Sequence, residues 1–586
     1  MVTFSPGSER PDRRLDSGGR VVTVAFWALA LVLGGLRAWS TRYAMDPDSI
    51  SYLDMGDAYL RHDWRMAING DWNPLYAWVL TLGKLVFRPP AHFEFPYLHL
   101  VNFALYAGGL ACFHFFLLQL LRSNRTLDDS PCWRGTISIP SAALLALGYS
   151  LYIWSSLDLI EFKEGADLLL AAFLYLAFGL LLRTQAQPTG WKPFVLLGLV
   201  LGLGYLTKAV AFLLALVFLG TAWLFAENRR RALPRVLVAW LAFCAIGGPF
   251  IAVLSRSKGR WTYGDTGKVA YTIFVTMDSR DRWVPPYFHW QGDLPDAGVP
   301  RHPTRRIFRS PDVYEFGSPF QATYGAWYDP SYWYEGVTAH VNLRTQLRVL
   351  LGSARDCLRL FVLGQPALLT GLFILLWMSW RPGFRPRDTA INPVLLLPAI
   401  VPFGLYGLIH MEFRYVAPTA VVIWLALMTG VRVPDAPNAK RWVAGTVSGV
   451  VLTWFLATAL WGADDDVEKL RTHRRGAGDA VVQVASKLEE LGLRPGDKVA
   501  FIGDTFRAYW ARLARVRIVA EITPPDATAY WHADDALQSR VMNALAAAGV
   551  RAVITDSLPA DASSVGWRKV QGLPADRSYY VRFLGP

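Results

Sequence analysis

Apolar residues in this chain come in long unbroken runs, and short clusters of arginine and lysine separate them. The first run, Val21 to Trp39, spans ~28 Å as a helix, close to the hydrocarbon thickness of a bilayer. Tyr97 to Leu121, Ile137 to Ser156 and about Leu168 to Leu182 follow in the same style. Phe194 to Phe225 would be ~48 Å long as one helix and would bury Lys208 near its middle, so it is expected to be a hairpin broken at Thr207 and Lys208. Its first arm, Phe194 to Leu206, is only ~20 Å long, which places the turn below the outer surface. Val236 to Leu254, Phe361 to Trp380, Val394 to Ile409, Val416 to Gly430 and Trp442 to Trp461 complete about eleven predicted spans.

Arg10, Arg13, Arg14 and Arg20 precede the first run, and the loops expected on that same side carry Arg122, Arg125, Arg134, Arg183, Lys192, Arg229 to Arg231, Arg235, Arg432, Lys440 and Arg441. By the positive-inside rule this side is cytoplasmic. The first run lacks a following small-residue cleavage site and is expected to stay as an anchor. These patterns predict an integral membrane protein with its N-terminus in the cytoplasm.

From Ala463 the pattern changes. KVAFIGD, VRIVAEI and VRAVITD are short apolar runs ending in an acid, separated by helical stretches at Phe506 to Leu513 and Ala536 to Ala548. The predicted fold class is therefore an α-helical polytopic membrane protein with a C-terminal soluble α/β domain. The expected division is a basic tail (1–20), a transmembrane domain (21–461) with outer loops 40–96 and 255–350, and an outer α/β domain (462–586). No glycine-rich phosphate loop follows the strand-like runs, which argues against nucleotide binding. No internal repeat is visible, which weighs against a transporter of two inverted halves.

Composition adds little. The chain is 53% hydrophobic and 18% charged, with a net charge of +13. Because that excess sits in short loops and tails, it reports topology and does not point to nucleic acid. Cys112, Cys132, Cys244 and Cys357 have neither metal-ligand spacing nor a disulfide pattern.

Candidate chemistry concentrates outside. Asp46 and Asp48 emerge directly after the first span, where they can act as a general base with an orienting partner or hold a divalent cation. Equally, Asp46 before Pro47 is a good helix start, with Leu53, Gly56, Leu60 and Trp64 on one face of an interfacial helix. Glu161, Lys163, Glu164 and Asp167 lie on the same side, and acids there also suit a helix N-terminus. Lys208 is a functional candidate because an intramembrane lysine is costly, with snorkelling as its alternative. In the long loop from Ser255 to about Leu350, Tyr324, Trp327, Tyr328, Tyr332 and Trp333 can stack on sugars or hold polyprenyl chains, and Lys268, Arg305 and Arg306 can meet phosphate. An interfacial aromatic belt with flanking cations explains them as well. Arg414 lies on a very short outer turn, His410 to Tyr415, and so departs from the inner-arginine rule.

Four short motifs in order, MDPD at Met45, NPLY at Asn73 to Tyr76, LTK at Leu206 to Lys208 and EFRY at Glu412 to Tyr415, resemble the GT-C glycosyltransferase superfamily. The similarity is to the bacterial branch related to protein O-mannosyltransferases and the lipid A aminoarabinose transferase, and it covers about Val21 to Gly430. It implies transfer of a hexosyl or pentosyl group from a polyprenyl-phosphate donor to a lipid, glycan or protein acceptor on the outer face, with inversion. It further implies an outer-loop aspartate as base, matching Asp46 with Asp48 as the alternative, and Lys208 and Arg414 near the donor phosphate, where Lys268 of the long loop is also expected. Glu412, Tyr415, Tyr328 and Trp333 are the expected substrate contacts. A second outer acid would be Glu164 or Asp167, where this chain departs from the family's pattern. The D-P-D spacing also differs from the adjacent Asp-Glu of the mannosyltransferases, and the C-terminal domain lies outside the likeness. No cofactor is expected to be required, and the metal-free reading ranks ahead of a divalent cation at Asp46 and Asp48. A transporter or flippase of lipid-linked saccharides is the alternative from another class, and an inactive scaffold a third.

Overall fold

The computed structural model describes residues 16–161, 165–277, 289, 298–380, 390–457, 467–469, 471, 479–559, 565–574 and 577–585. Glu164 and the expected domain boundary at 462 lie outside the described residues.

The predicted spans fall on helices; the end of the last, Trp442 to Trp461, lies outside the described residues from 458 on. α1 (Ser17–Ser40) begins at Asp16, whose side chain accepts from the Gly19 amide. The segment that follows is built from α2 (Pro47–Leu60), a single turn α3 (Trp64–Ala67) and α4 (Pro74–Phe87). α4 is a helix within a region expected as loop; at ~21 Å it is too short to register as a span. The bundle continues with α5 (Glu94–Asp128), α6 (Ser141–Glu161), α7 (Gly165–Ala186), α8 (Lys192–Thr207), α9 (Val210–Leu224) and α10 (Arg229–Lys258). The break between α8 and α9 falls at Lys208, whose backbone is extended (φ −148°, ψ 138°), as the length argument anticipated.

After α10, the long loop holds the short helices α11 (Thr266–Tyr271), α12 (Gly325–Tyr328) and α13 (Pro330–Trp333). The chain re-enters the bundle through α14 (Leu343–Leu358) and α15 (Pro366–Ser379), a pair bent by 68° around Gly364. α16 (Pro393–Gly407), α17 (Phe413–Gly430) and α18 (Ala439–Phe455) follow. Six of these helices are long and apolar enough to cross a membrane alone, and the bent pair makes a seventh. α4, α8, α9 and α16 are shorter apolar helices.

Two sheets are present among the described residues. β1 (Thr136–Ile137) and β4 (Val433–Pro434) form a two-stranded ribbon. The second has seven strands, β2 (Arg305–Phe308), β3 (Val313–Glu315), β5 (Lys498–Ile502), β6 (Arg517–Ile522), β7 (Ala552–Thr555), β8 (Arg568–Lys569) and β9 (Tyr580–Phe583), in the order β2-β3-β6-β5-β7-β9-β8. The three predicted strand-like runs are its parallel centre, β6-β5-β7. β2 and β3 come from the outer loop, and β3 pairs antiparallel with β6. The outer loop and the C-terminal residues therefore fold together. One hydrophobic cluster runs from Ile50, Leu53 and Tyr76 through Phe316, Tyr328 and Trp333 to Phe501, Trp510 and Val581.

Candidate active site

α2 starts where an Asp-Pro pair dictates. Asp46 caps it, accepting from the Ser49 amide at 2.6 Å, and Pro47 fills the first turn, where its missing N–H is not needed. The structural role foreseen for Asp46 is thus present. Asp48, in the first turn, accepts a hydrogen bond from Trp327 Nε1 at 2.8 Å. Trp327 is itself set between Trp72 and Phe506, with ring centroids at 5.9 and 5.2 Å.

Below this acid lies an ion cluster drawn from three bundle helices. Asp167 near the start of α7 accepts from Lys208 Nζ at 2.5 Å and lies 4.0 Å from Arg414 Nη1. Arg414 donates to Glu412 at 2.5 Å and to the Tyr415 hydroxyl at 2.9 Å. The Tyr415 ring carries both cations on its face, with Lys208 at 5.0 Å and Arg414 at 4.8 Å, and Tyr406 stacks on it at 4.7 Å. Asp48 lies in the field of Arg414, Lys208 and Asp167; burial raises its carboxyl above the ordinary aspartate range, while Arg414, the Trp327 hydrogen bond and Lys208 pull it down. Arg414 in turn feels both Asp48 and Asp46.

Local packing explains the convergence. A Cβ on Gly165 would stand 2.1 Å from the Tyr76 ring, so only glycine lets α7 begin against α4 and present Asp167. Asn73, at the head of α4, donates to the carbonyl of Tyr205, three residues before Lys208, at 2.6 Å. The NPLY and LTK motifs thus meet in space.

Other expected residues are elsewhere. Lys268 is exposed on α11, and the charges around it are Arg260, Asp265, Glu335 and Arg301. It is not brought to the Lys208–Arg414 cluster. Tyr328 and Trp333 are buried in the outer core, where the Tyr328 hydroxyl donates to the Met66 carbonyl at 2.7 Å and Trp333 Nε1 to the Gly325 carbonyl at 3.1 Å. Their polar atoms are spent on backbone, and Trp327 is the aromatic of this loop that reaches the acid.

Asp71 was missed. It sits in the turn Asn69-Gly70-Asp71, which Asn69 holds by accepting from the Asp71 and Trp72 amides, so its signature in the sequence is that of a turn. Its side chain is buried and, among the described residues, its Oδ1 meets no hydrogen-bond donor. Burial, then Asp329, Asp48 and Asp265, raise its carboxyl well above the usual range against the opposing pull of Lys258. Among the described residues no group of three or more His, Cys, Asp or Glu side chains is arranged to hold a metal ion. A 390 Å³ cavity, lined by Trp154, Arg359, Leu360, Met411, Phe413 and Val416, lies beside the His410–Tyr415 turn and not at the ion cluster.

This is a polytopic helical membrane protein carrying an α/β unit and an acid set above a paired lysine and arginine. Comparison with solved structures bears on the fold alone. ArnT from Cupriavidus metallidurans in the apo state matches with a TM-score of 0.51 at 14% identity, over 97% of this chain and 100% of that one. The same protein bound to undecaprenyl phosphate gives 0.49 at 13%, with the same coverage. The Archaeoglobus fulgidus oligosaccharyltransferase in complex with Zn and sulfate gives 0.47 at 12%, over 91% of this chain and 68% of that one. No family model and no curated protein sequence matches the chain.

Proposed function

We propose that this protein is a membrane glycosyltransferase that moves a sugar from a polyprenyl-phosphate donor to an acceptor nucleophile at the outer face of the bacterial inner membrane. The observation that carries the reading is Asp48, half-buried and oriented by Trp327 in the field of Lys208 and Arg414. ArnT, whose fold this chain shares, has been solved with undecaprenyl phosphate bound, which supports a lipid phosphate as the donor's carrier.

In the reaction the bond from the anomeric carbon to the phosphate oxygen breaks, and a new bond forms to the acceptor oxygen. The acceptor proton passes to Asp48, and the electron pair leaves with the polyprenyl phosphate, whose developing charge Lys208 and Arg414 meet. One displacement inverts the anomeric carbon. Asp48 is favoured over Asp46 as proton acceptor because the indole of Trp327 orients it in the field of Arg414 and Lys208, whereas the hydrogen bond of Asp46 to the Ser49 amide serves the start of α2. Asp167 and Glu412 keep the two cations neutralised until phosphate arrives, and Tyr415 fixes where they sit. We place the N-terminus in the cytoplasm and the α/β unit outside, and propose that the chemistry needs no metal.

The test is transfer from a labelled polyprenyl phospho-sugar by the purified protein in the presence of membrane extract. Label must leave the lipid and appear on an acceptor with inverted configuration. Label that crosses a bilayer still attached to its lipid identifies a flippase and overturns the proposal.

A further inference from the structure

The α/β unit grips the helix that carries the acid. Arg512, in the short helix Trp510–Leu513, is 3% exposed and spends its guanidinium on three carboxylates. Nε and Nη2 bind Glu94 at 2.8 and 2.7 Å, Nη1 binds Asp54 at 2.6 Å and Nη2 binds Asp57 at 2.6 Å. Lys84 reaches Asp57 and Glu94 at 2.7 Å each, and Arg515 stands 3.7 and 3.5 Å from the same two acids. Three acids thus face three cations, with Thr323 also donating to Asp54 through its amide and hydroxyl at 2.8 and 2.9 Å.

Asp54 and Asp57 belong to α2. At about 100° per residue, Asp57 is half a rotation from Asp48, so the cluster holds one face of α2 and leaves the opposite face to the site. A helix of 14 residues is too short to persist alone in water, and its position is set by what packs on it. A second contact runs through Phe506, whose ring lies 5.2 Å from Trp327, the donor to Asp48.

We infer that Arg512 and Phe506 are positioning residues: the α/β unit sets the place of α2 and of Asp48, and turnover depends on it. The kinetic half of this rests on the proposed sugar transfer; the mechanical half does not. A displacement of about 1 Å at a reacting group is enough to cost a hundredfold in rate.

The experiment uses the full chain in lipid nanodiscs, with Arg512→Gln, Arg512→Lys and Phe506→Ala. Hydrogen exchange is followed in α2 and in β5, β6 and β7, and kcat and KM are measured with a polyprenyl phospho-sugar. In Arg512→Gln the α2 amides exchange at least about tenfold faster while the three strands keep their protection, and Arg512→Lys recovers part of the loss. Phe506→Ala lowers kcat about tenfold or more and leaves donor KM within about twofold. Unchanged α2 exchange in Arg512→Gln overturns the inference, as does equal loss in α2 and the strands, which would mean a folding role alone. Wild-type kcat in Phe506→Ala overturns the part assigned to that ring. A wild-type protein that transfers no sugar sinks the enzymatic proposal, while the exchange data still decide the grip.

Discussion

Trp327→Phe isolates one hydrogen bond. The substitution keeps an aromatic ring between Trp72 and Phe506 and removes the N–H that reaches Asp48 at 2.8 Å. A hydrogen bond to a charged group contributes about 1.5–3 kcal/mol, and about 1.36 kcal/mol corresponds to one pH unit of titration. Asp48 is already raised by burial and held down by Arg414, Trp327 and Lys208, so losing the second of these restraints lifts it further. If Asp48 accepts the proton it must be ionised, and the acid limb of the rate profile marks its titration. That limb should lie above the ordinary aspartate range in the wild type and move up by about 1–2 pH units in Trp327→Phe. The assay is the initial rate of transfer from a polyprenyl phospho-sugar across the pH range, with kcat and kcat/KM separated. Well above the limb the variant should approach the wild-type rate. A limb that stays in place, with the rate lowered equally at every pH, refutes the role given to this contact.

Three further outcomes follow from the geometry. Asp71→Asn should raise thermal stability at neutral pH and change it little near pH 3: a carboxyl raised in the folded state makes the fold less stable as pH climbs from its unfolded value, about 3.9, towards its folded one, and an amide removes that loss. Lys208→Met should destabilise the protein by about 3–5 kcal/mol because it leaves Asp167 buried beside a lost partner, and Lys208→Met with Asp167→Asn should recover much of it in a melting cycle. Lys268→Ala should leave donor affinity within about twofold, since the lysine is exposed and stands among Arg260, Asp265, Glu335 and Arg301; a tenfold loss would return it to the phosphate site.

The bundle was legible because apolar length and basic loops are local signals. The break at Lys208 followed from length alone, and β5, β6 and β7 followed from apolar runs ending in acids. α4 escaped because a helix of 14 residues is too short for a span and its NPLY start looks like a loop. β2 and β3 escaped because two short strands acquire meaning only beside β6. In the site, residue types pointed to Asp46, with Asp48 as the alternative, and to Lys208 and Arg414, but nothing in the spacing ties Asp167 to Lys208 across 41 residues or Trp327 to Asp48 across 279. Tyr328 and Trp333 resembled ligand-stacking aromatics, yet their neighbours in the fold bury them. Arg512 gave no signal at all, since its three carboxylate partners come from α2 and α5.

The central claim is that Asp48, and not its neighbour Asp46, takes the acceptor's proton. Single-turnover transfer by Asp48→Asn and Asp46→Asn tests it directly, because asparagine caps a helix nearly as well as aspartate and so preserves α2 in the second variant. The account predicts that Asp48→Asn slows the chemical step by about 10²- to 10⁴-fold with donor lipid still bound, and that Asp46→Asn stays within about tenfold of wild type. Wild-type chemistry in Asp48→Asn contradicts it.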